Sequence, residues 1–372
     1  MKKILLFASI FILMCIPLQS VVAQEYRETE TFEAQIIDIL EEESIERENG
    51  TVVTQQNILL KGLSGSWEGK EFIYYGISGI DVLSQTGTVF RPNNKVLVSW
   101  DVDINGNDQF FILNYVRRGY LYVLGILFSI AIIVVGKKKG VRSLISLVVS
   151  FIIIVKFIIP QIIAGHSPLT VAVIGSLFIL TFIVYITEGF SKKTHVAVLS
   201  IAISLVITFV LSYVFVALTK LTGFSSEEAS FLAGTPGVNI IDFRGLLLAA
   251  ILIGTLGVLD DVILGQIEAV YQIKKLHPNI SKKDMVMSAN EIGRTHLSSM
   301  VNTLFLTYTG ASLPLLILFS VSPQTSVTFV SALDNEFIAT EVIRIFAGSI
   351  GLILAFPITT YLAVSFLKDK TY

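Results

Sequence analysis

Cysteine is almost absent from this chain. Its one cysteine, Cys15, lies in the N-terminal apolar stretch, so the mature chain is expected to hold no disulfide and no reactive thiol. A lipoprotein cleavage site at Cys15 is disfavoured, because Met14 is bulky where such a site needs a small residue. Charge is scarce as well: 15% of the 372 residues are Asp, Glu, Lys or Arg and 53% are hydrophobic. Soluble domains carry roughly 25% charged residues. With a mean hydropathy of +0.74, this composition excludes an ordinary soluble globular protein and indicates a polytopic membrane protein. The net charge of −2 says little about partners, because the charges divide between two sides of a membrane.

Motifs that would license particular chemistries are missing too. There is no Walker A sequence, so any energy input would come from a gradient or another subunit. There is no HExxH, and the adjacent pair Asp260-Asp261 lacks the spacing of a helical ligand pair, so neither metal nor cofactor is expected. An aspartyl-protease site would need a second acid from another helix, and Glu188 is the one candidate by depth. The chain is therefore read as not an enzyme.

Three segments follow from composition. Residues 1–23 read as a secretory signal or an uncleaved signal anchor: Lys2 and Lys3, an apolar run from Ile4 to Ile16, then Val21-Val22-Ala23. Residues 24–116 read as an extracytoplasmic all-β domain. Strands are expected over 31–40, 51–60, 70–76, 87–90, 95–100 and 109–115, punctuated by turn residues such as Glu48-Asn49-Gly50 and Asn105-Gly106-Asn107. Five or six short strands suit a small OB-like barrel. The nucleic-acid role often tied to such barrels is rejected, because Glu41, Glu42 and Glu43 form an acidic run and there is no basic patch.

Residues 117–372 read as a seven-helix transmembrane domain, with spans near 118–136, 142–160, 168–187, 195–218, 245–264, 296–320 and 341–367. Lys137 to Lys139 with Arg142, then Lys192 and Lys193, Lys274 and Lys275, Lys282 and Lys283, and Lys368 and Lys370 mark alternate ends as cytoplasmic. The β domain then lies outside a plasma membrane and the C-terminus inside. Lys156, four residues before Pro160, is expected to snorkel at the outer end of span two.

Span five carries two carboxylates, Asp260 and Asp261. An aspartate costs about 2.5–3.5 kcal/mol at a bilayer centre and less near an end, so the pair asks for a reason. Gly254, Gly257, Asp261, Gly265 and Glu268 share one stripe, which would let another helix approach and would turn Asp261 toward it. Asp260 would stand beside that seam. The plainer alternative is that both acids are hydrated near the interface. On span six, Thr295, His296, Ser298, Ser299, Asn302, Thr303, Leu306, Thr307, Thr309 and Gly310 share one half. Leu297, Met300, Val301, Leu304, Phe305 and Tyr308 share the other. The apolar half suits lipid, and the polar half either lines a cavity or holds helices together. Span four adds Ser200, Ser204, Thr208 and Ser212, a row that packing alone explains.

Between spans five and six, the helix is expected to stop before His277-Pro278 and to restart at a capping box, Ser281 with Asp284. Glu291 and Arg294 form a candidate ion pair at a spacing of three. A second capping box, Ser225 with Glu228, should start a short outer helix.

Gly254-Thr-Leu-Gly-Val-Leu-Asp-Asp261, Gln266, Glu291-Ile-Gly-Arg-Thr-His296, Val301-Asn-Thr-Leu304 and Tyr308-Thr-Gly-Ala-Ser-Leu-Pro-Leu-Leu316 together resemble the YibE/F family of bacterial membrane proteins, over about residues 120 to 366. The outer domain resembles the longer, YibE-like members. The resemblance implies a plasma-membrane protein of a Gram-positive bacterium that associates with a shorter relative or with itself. It brings no established activity or substrate. Two functions remain open from the residues. One is a permease-like transporter of a small ion or solute, with Asp260, Asp261, Glu268, His296, Ser299, Asn302 and Thr303 as its intramembrane polar site. Against it, no inverted repeat is visible. The other is an assembly or signalling component whose outer β domain binds a ligand or partner.

Overall fold

The computed structural model describes residues 30–46, 52–77, 89–103, 106–235, 241–321 and 329–366. The expected signal segment, the turn at 48–50 and half of the expected strand at 87–90 lie outside the described residues. The chain forms two compact units, divided between Ala131 and Ile132.

The first unit is a five-stranded antiparallel sheet: β1 (Glu30–Glu46), β2 (Val52–Gly62), β3 (Glu71–Tyr75), β4 (Lys95–Val102) and β5 (Asp108–Tyr115), in the order β3-β2-β1-β4-β5. Alternation dictates it. Phe32, Ala34 and Ile36 of β1 are buried, as are Ile58 and Leu60 of β2, Phe72 and Tyr74 of β3, Val96 and Val98 of β4, and Ile112 of β5. Register shifts in β1, between Ile36 and Asp38 and between Ile39 and Glu41, increase its twist. The curl brings the two sheet edges together, so that Phe72 of β3 stacks on Phe110 of β5 at 4.2 Å between ring centroids. Trp67, on the 3-10 turn Gly65–Trp67, meets the same Phe110 edge-on at 4.8 Å. Buried Gln56 is satisfied from both sides, accepting from Phe90 N–H at 2.7 Å and donating to Glu42 at 2.8 Å.

The second unit is helical, built from α1 (Arg118–Ile153, whose N-terminal part lies in the first unit), α2 (Ile159–Ile163), α3 (Pro168–Glu188), α4 (Lys192–Leu218), α5 (Glu227–Ala233), α6 (Phe243–Leu276), α7 (Lys282–Ala311), α8 (Leu313–Val321), α9 (Phe329–Leu333) and α10 (Glu336–Phe366). Five helical stretches among the described residues are long and apolar enough to cross a membrane: Arg118–Ile163, α3, α4, α6 and α10. The first, 46 residues long, breaks at Lys137 (φ 50°, ψ −128°), between the expected spans one and two. Before Pro160 the helix widens into a π turn, Ile154–Ile158. Proline lacks an N–H and its ring crowds the carbonyl four residues back, which is that of Lys156, and the wider turn makes room. Lys156 itself is exposed.

The expected sixth span divides. Helix α7 ends at Ala311, with the turn residue Ser312 before α8, and although 30 residues long it is not among the stretches apolar enough to span. Its start follows the expected chemistry: Ser281 accepts from the Asp284 N–H at 3.1 Å and donates to the Asp284 carboxylate at 2.6 Å. The second capping box sits one residue later than expected, because Ser226 and not Ser225 caps α5, accepting from Ala229 N–H at 3.1 Å.

Helix α6 packs against α3, α4, α7 and α10 and supplies much of the core, with Ile251, Leu259 and Ile263 fully buried. Hydrophobicity does little to join helices in lipid, so small residues and hydrogen bonds set this packing. Gly351 of α10 lies so close to Thr208 of α4 that a β-carbon there would overlap the hydroxyl. Ser200, Ser204, Thr208 and Ser212 are fully buried in α4, and Ser204 and Thr208 return their hydroxyls to the carbonyls four residues back. Gln266 of α6 joins three helices, donating to the Ala289 carbonyl of α7 at 3.1 Å and to the Thr360 hydroxyl of α10 at 2.8 Å.

Candidate functional site

The two aspartates take opposite surroundings. Asp260 faces inward, into a recess of about 590 Å³ between α1, α3 and α6, whereas Asp261 is exposed. The recess is lined on its polar side by Ser143, Ser146 and Ser150 of α1, Thr187 of α3 and Asp260, with Gly257 one turn above the acid. The Asp260 Oδ1 atom is buried and has no hydrogen-bond partner among the described residues. Ser150 and Thr187 donate to the carbonyls of Ser146 and Ile183, both at 2.8 Å, which leaves their lone pairs free to accept.

One turn further along α6 a second recess, of about 410 Å³, is bordered by Lys139, Glu188, Lys193, Thr194 and Glu268. Its charges are paired: Lys139 meets Glu188 at 3.2 Å and Lys193 meets Glu268 at 2.9 Å. Gln272 also donates to Glu268 at 2.6 Å, and the Lys193 ammonium stands 3.0 Å from the centre of the Tyr271 ring. The neighbours Thr187 and Glu188 line one recess each, so an unpaired acid lies immediately beyond a cluster of compensated charge.

Several expectations change here. Asp261 does not turn toward a neighbouring helix but is exposed, although on the same stripe Gly257 borders the Asp260 recess and Glu268 pairs with Lys193 of α4. Asp260, expected beside the seam, is the enclosed acid. Spans five and six do touch, through Gln266 on Ala289 and through Tyr308 over Gly254, but the faces are the reverse of those expected. The apolar half of α7 (Leu297, Met300, Val301 and Leu304) packs on the core. His296, Ser299, Asn302 and Thr303 are exposed and are not among the residues lining the Asp260 recess. A hydrophobic face finds other hydrophobic faces within the chain first, which periodicity alone does not reveal. Glu291 and Arg294 are both exposed and make no ion pair among the described residues, because water leaves little to hold two long side chains together.

Sequence reasoning missed Ser143, Ser146 and Ser150. Their spacing of three and four is the signal that places them on one helical face, diluted by the apolar residues of span two. It also missed the reason for Gly293. A β-carbon there would overlap the Phe356 ring of α10 and lie 2.7 Å from the side-chain Oε1 of Gln266.

The helices and their enclosed acid define a membrane protein carrying a separate antiparallel β unit. More particularly, a model of the YibE/F-like protein family matches residues 124–369, and the chain belongs to that family. No curated protein and no solved structure matches it. The matched region contains the Asp260 recess, Gln266 and Gly293.

Proposed function

We propose that this chain is a permease-like plasma-membrane protein that takes up a proton or a small cation at Asp260. The observation that carries the reading is the Asp260 carboxylate: it faces a recess within apolar helices, with one oxygen buried and unpartnered. An ionised carboxylate out of water is costly unless paired, so the site is complete only when a proton or a cation joins it. The serine hydroxyls of α1 supply neutral oxygen donors of the kind a small hard cation accepts in place of water. The recess beside Glu188 and Glu268 then serves as the aqueous entrance, with the Lys139 and Lys193 pairs balancing its charge. The chain's own part is to bind and release, and it takes no catalytic role.

Around this site the reading is a seven-span domain, with the break at Lys137 separating spans one and two and α7 with α8 forming span six. The positive-inside rule puts the Lys139 end in the cytoplasm and the β unit outside, after a signal at 1–23. The strand order β3-β2-β1-β4-β5 and the meeting of β3 with β5 support an OB-like barrel. A second reading, assembly with a shorter relative or a further copy, draws support from the exposed polar face of α7.

The test is flux. Purified protein in liposomes holding a pH-sensitive or cation-sensitive dye should pass protons, Na⁺ or K⁺ down an imposed gradient. Asp260→Asn should remove that flux while Asp261→Asn retains it. Wild-type rates no greater than those of protein-free liposomes for all three ions would overturn the proposal.

A further inference from the structure

Helix α7 presents its polar side to the outside of the chain, and it does so at the depth of the apolar belt. Leu304 meets Gly348, well inside α10, where Thr255 of α6 also meets it. Both partner helices are apolar enough to span a membrane. Asn302 and Thr303 immediately precede Leu304, so they stand at the same level, and both are exposed together with Ser298, Ser299 and Thr307. The Thr303 and Thr307 hydroxyls donate to the Ser299 and Thr303 carbonyls at 2.9 and 2.7 Å, leaving acceptor lone pairs open. The Asn302 amide makes no hydrogen bond among the described residues, and lipid offers it none.

We infer that this face is covered by the same face of a second copy of the chain. Three features favour a copy over another occupant. Hydroxyls both donate and accept, and so does the Asn302 amide, so the face can satisfy itself. No Asp, Glu, Lys or Arg occurs between Arg294 and Asp334, so two such faces meet without repulsion. Copies inserted the same way into one membrane relate by a two-fold axis along its normal, which sets each residue opposite its own depth. Asn302 then meets Asn302, and serines and threonines flank the pair, the arrangement by which polar residues join membrane helices. The interface lies apart from the Asp260 recess and does not depend on ion binding.

Single cysteines at Ser299, Asn302 and Leu304 in a Cys15→Ser background test this in native membranes. Oxidation should give a cross-linked band at twice the monomer mass for Asn302→Cys and Ser299→Cys. Leu304→Cys, facing the chain's own core, should give none. As a second readout, differently tagged full-length copies should co-purify, and Ser299→Leu with Asn302→Leu should cut that recovery at least tenfold. Asp260→Asn should leave it unchanged, which keeps failure of this inference separate from failure of the ion site. Ready labelling of position 302 by a membrane-impermeant thiol reagent, without cross-linking, would overturn the inference in favour of a water-lined surface. Cross-linking to a different protein would overturn it equally.

Discussion

Gly293 should tolerate no larger residue without loss of stability. In Gly293→Ala the new methyl would occupy space held by the Phe356 ring, with the Gln266 side-chain Oε1 2.7 Å away. Phe356 is 6% exposed and Gln266 4%, so neither can swing into open space. Overpacking of this kind costs about 1–3 kcal/mol, and exchanging helical Gly for Ala returns at most about 1 kcal/mol. With the full gain of about 1 kcal/mol, the expected net loss is at most about 2 kcal/mol. Gly265, on the exposed flank of α6, is the control, because nothing lies within 4 Å of where its β-carbon would be. Gly265→Ala should gain up to about 1 kcal/mol from helix propensity. The propensity gain is common to both, so the two alanines should differ by the overpacking cost of about 1–3 kcal/mol, or about 5- to 150-fold in the folding equilibrium. Denaturation by sodium dodecyl sulfate in mixed micelles, followed by far-UV circular dichroism, reads this difference. Phe356→Leu should restore part of the loss in the Gly293→Ala background. Equal midpoints for Gly293→Ala and Gly265→Ala would refute the packing of α6, α7 and α10 described above.

Gln266→Leu keeps the side-chain volume but deletes the bonds to Ala289 and Thr360, and should cost about 1–3 kcal/mol in the same assay. A neutral result would mean that the three helices are joined by packing alone. In the β unit, hydrogen bonds from the Ser66 hydroxyl and backbone N–H hold Glu30 below its usual value of 4.5. A lowered folded-state value contributes stability that is complete above pH 4.5 and fades as pH falls toward the lowered value. Both tryptophans of the chain, Trp67 and Trp100, lie in this unit, so tryptophan emission of the whole protein follows it selectively. Glu30→Gln should lower the stability of the unit at pH 7 and remove this part of its loss in acid. An acid transition unchanged by the substitution would exclude the Glu30–Ser66 contact.

Local patterns were readable because local physics sets them. Alternation placed β1, β2, β4 and β5, and the box at Ser281 and Asp284 started α7 where expected. Ser225 and Ser226 both offer a cap, and the pattern of spacing took the wrong one by a single residue. A more consequential difference lies in the faces of α6 and α7. Helical periodicity divides a helix into sides, and it did so correctly for Leu297, Met300, Val301 and Leu304 against Ser299, Asn302 and Thr303. It carries no information on which side another helix covers.

The sequence by itself determined the class of environment, the positions of most elements and the presence of acids in an apolar helix, because composition and short-range spacing are properties of the chain alone. Only the tertiary structure decided that Asp260 is enclosed while Asp261 is not. The two residues are adjacent and chemically identical, and they differ by about 100° of rotation around one helix. The arrival of α1 and α3 on one flank of α6 turned that rotation into a difference between a half-buried carboxylate and an exposed one. The same holds for Ser143, Ser146 and Ser150, ordinary helix residues until α1 lies across from Asp260.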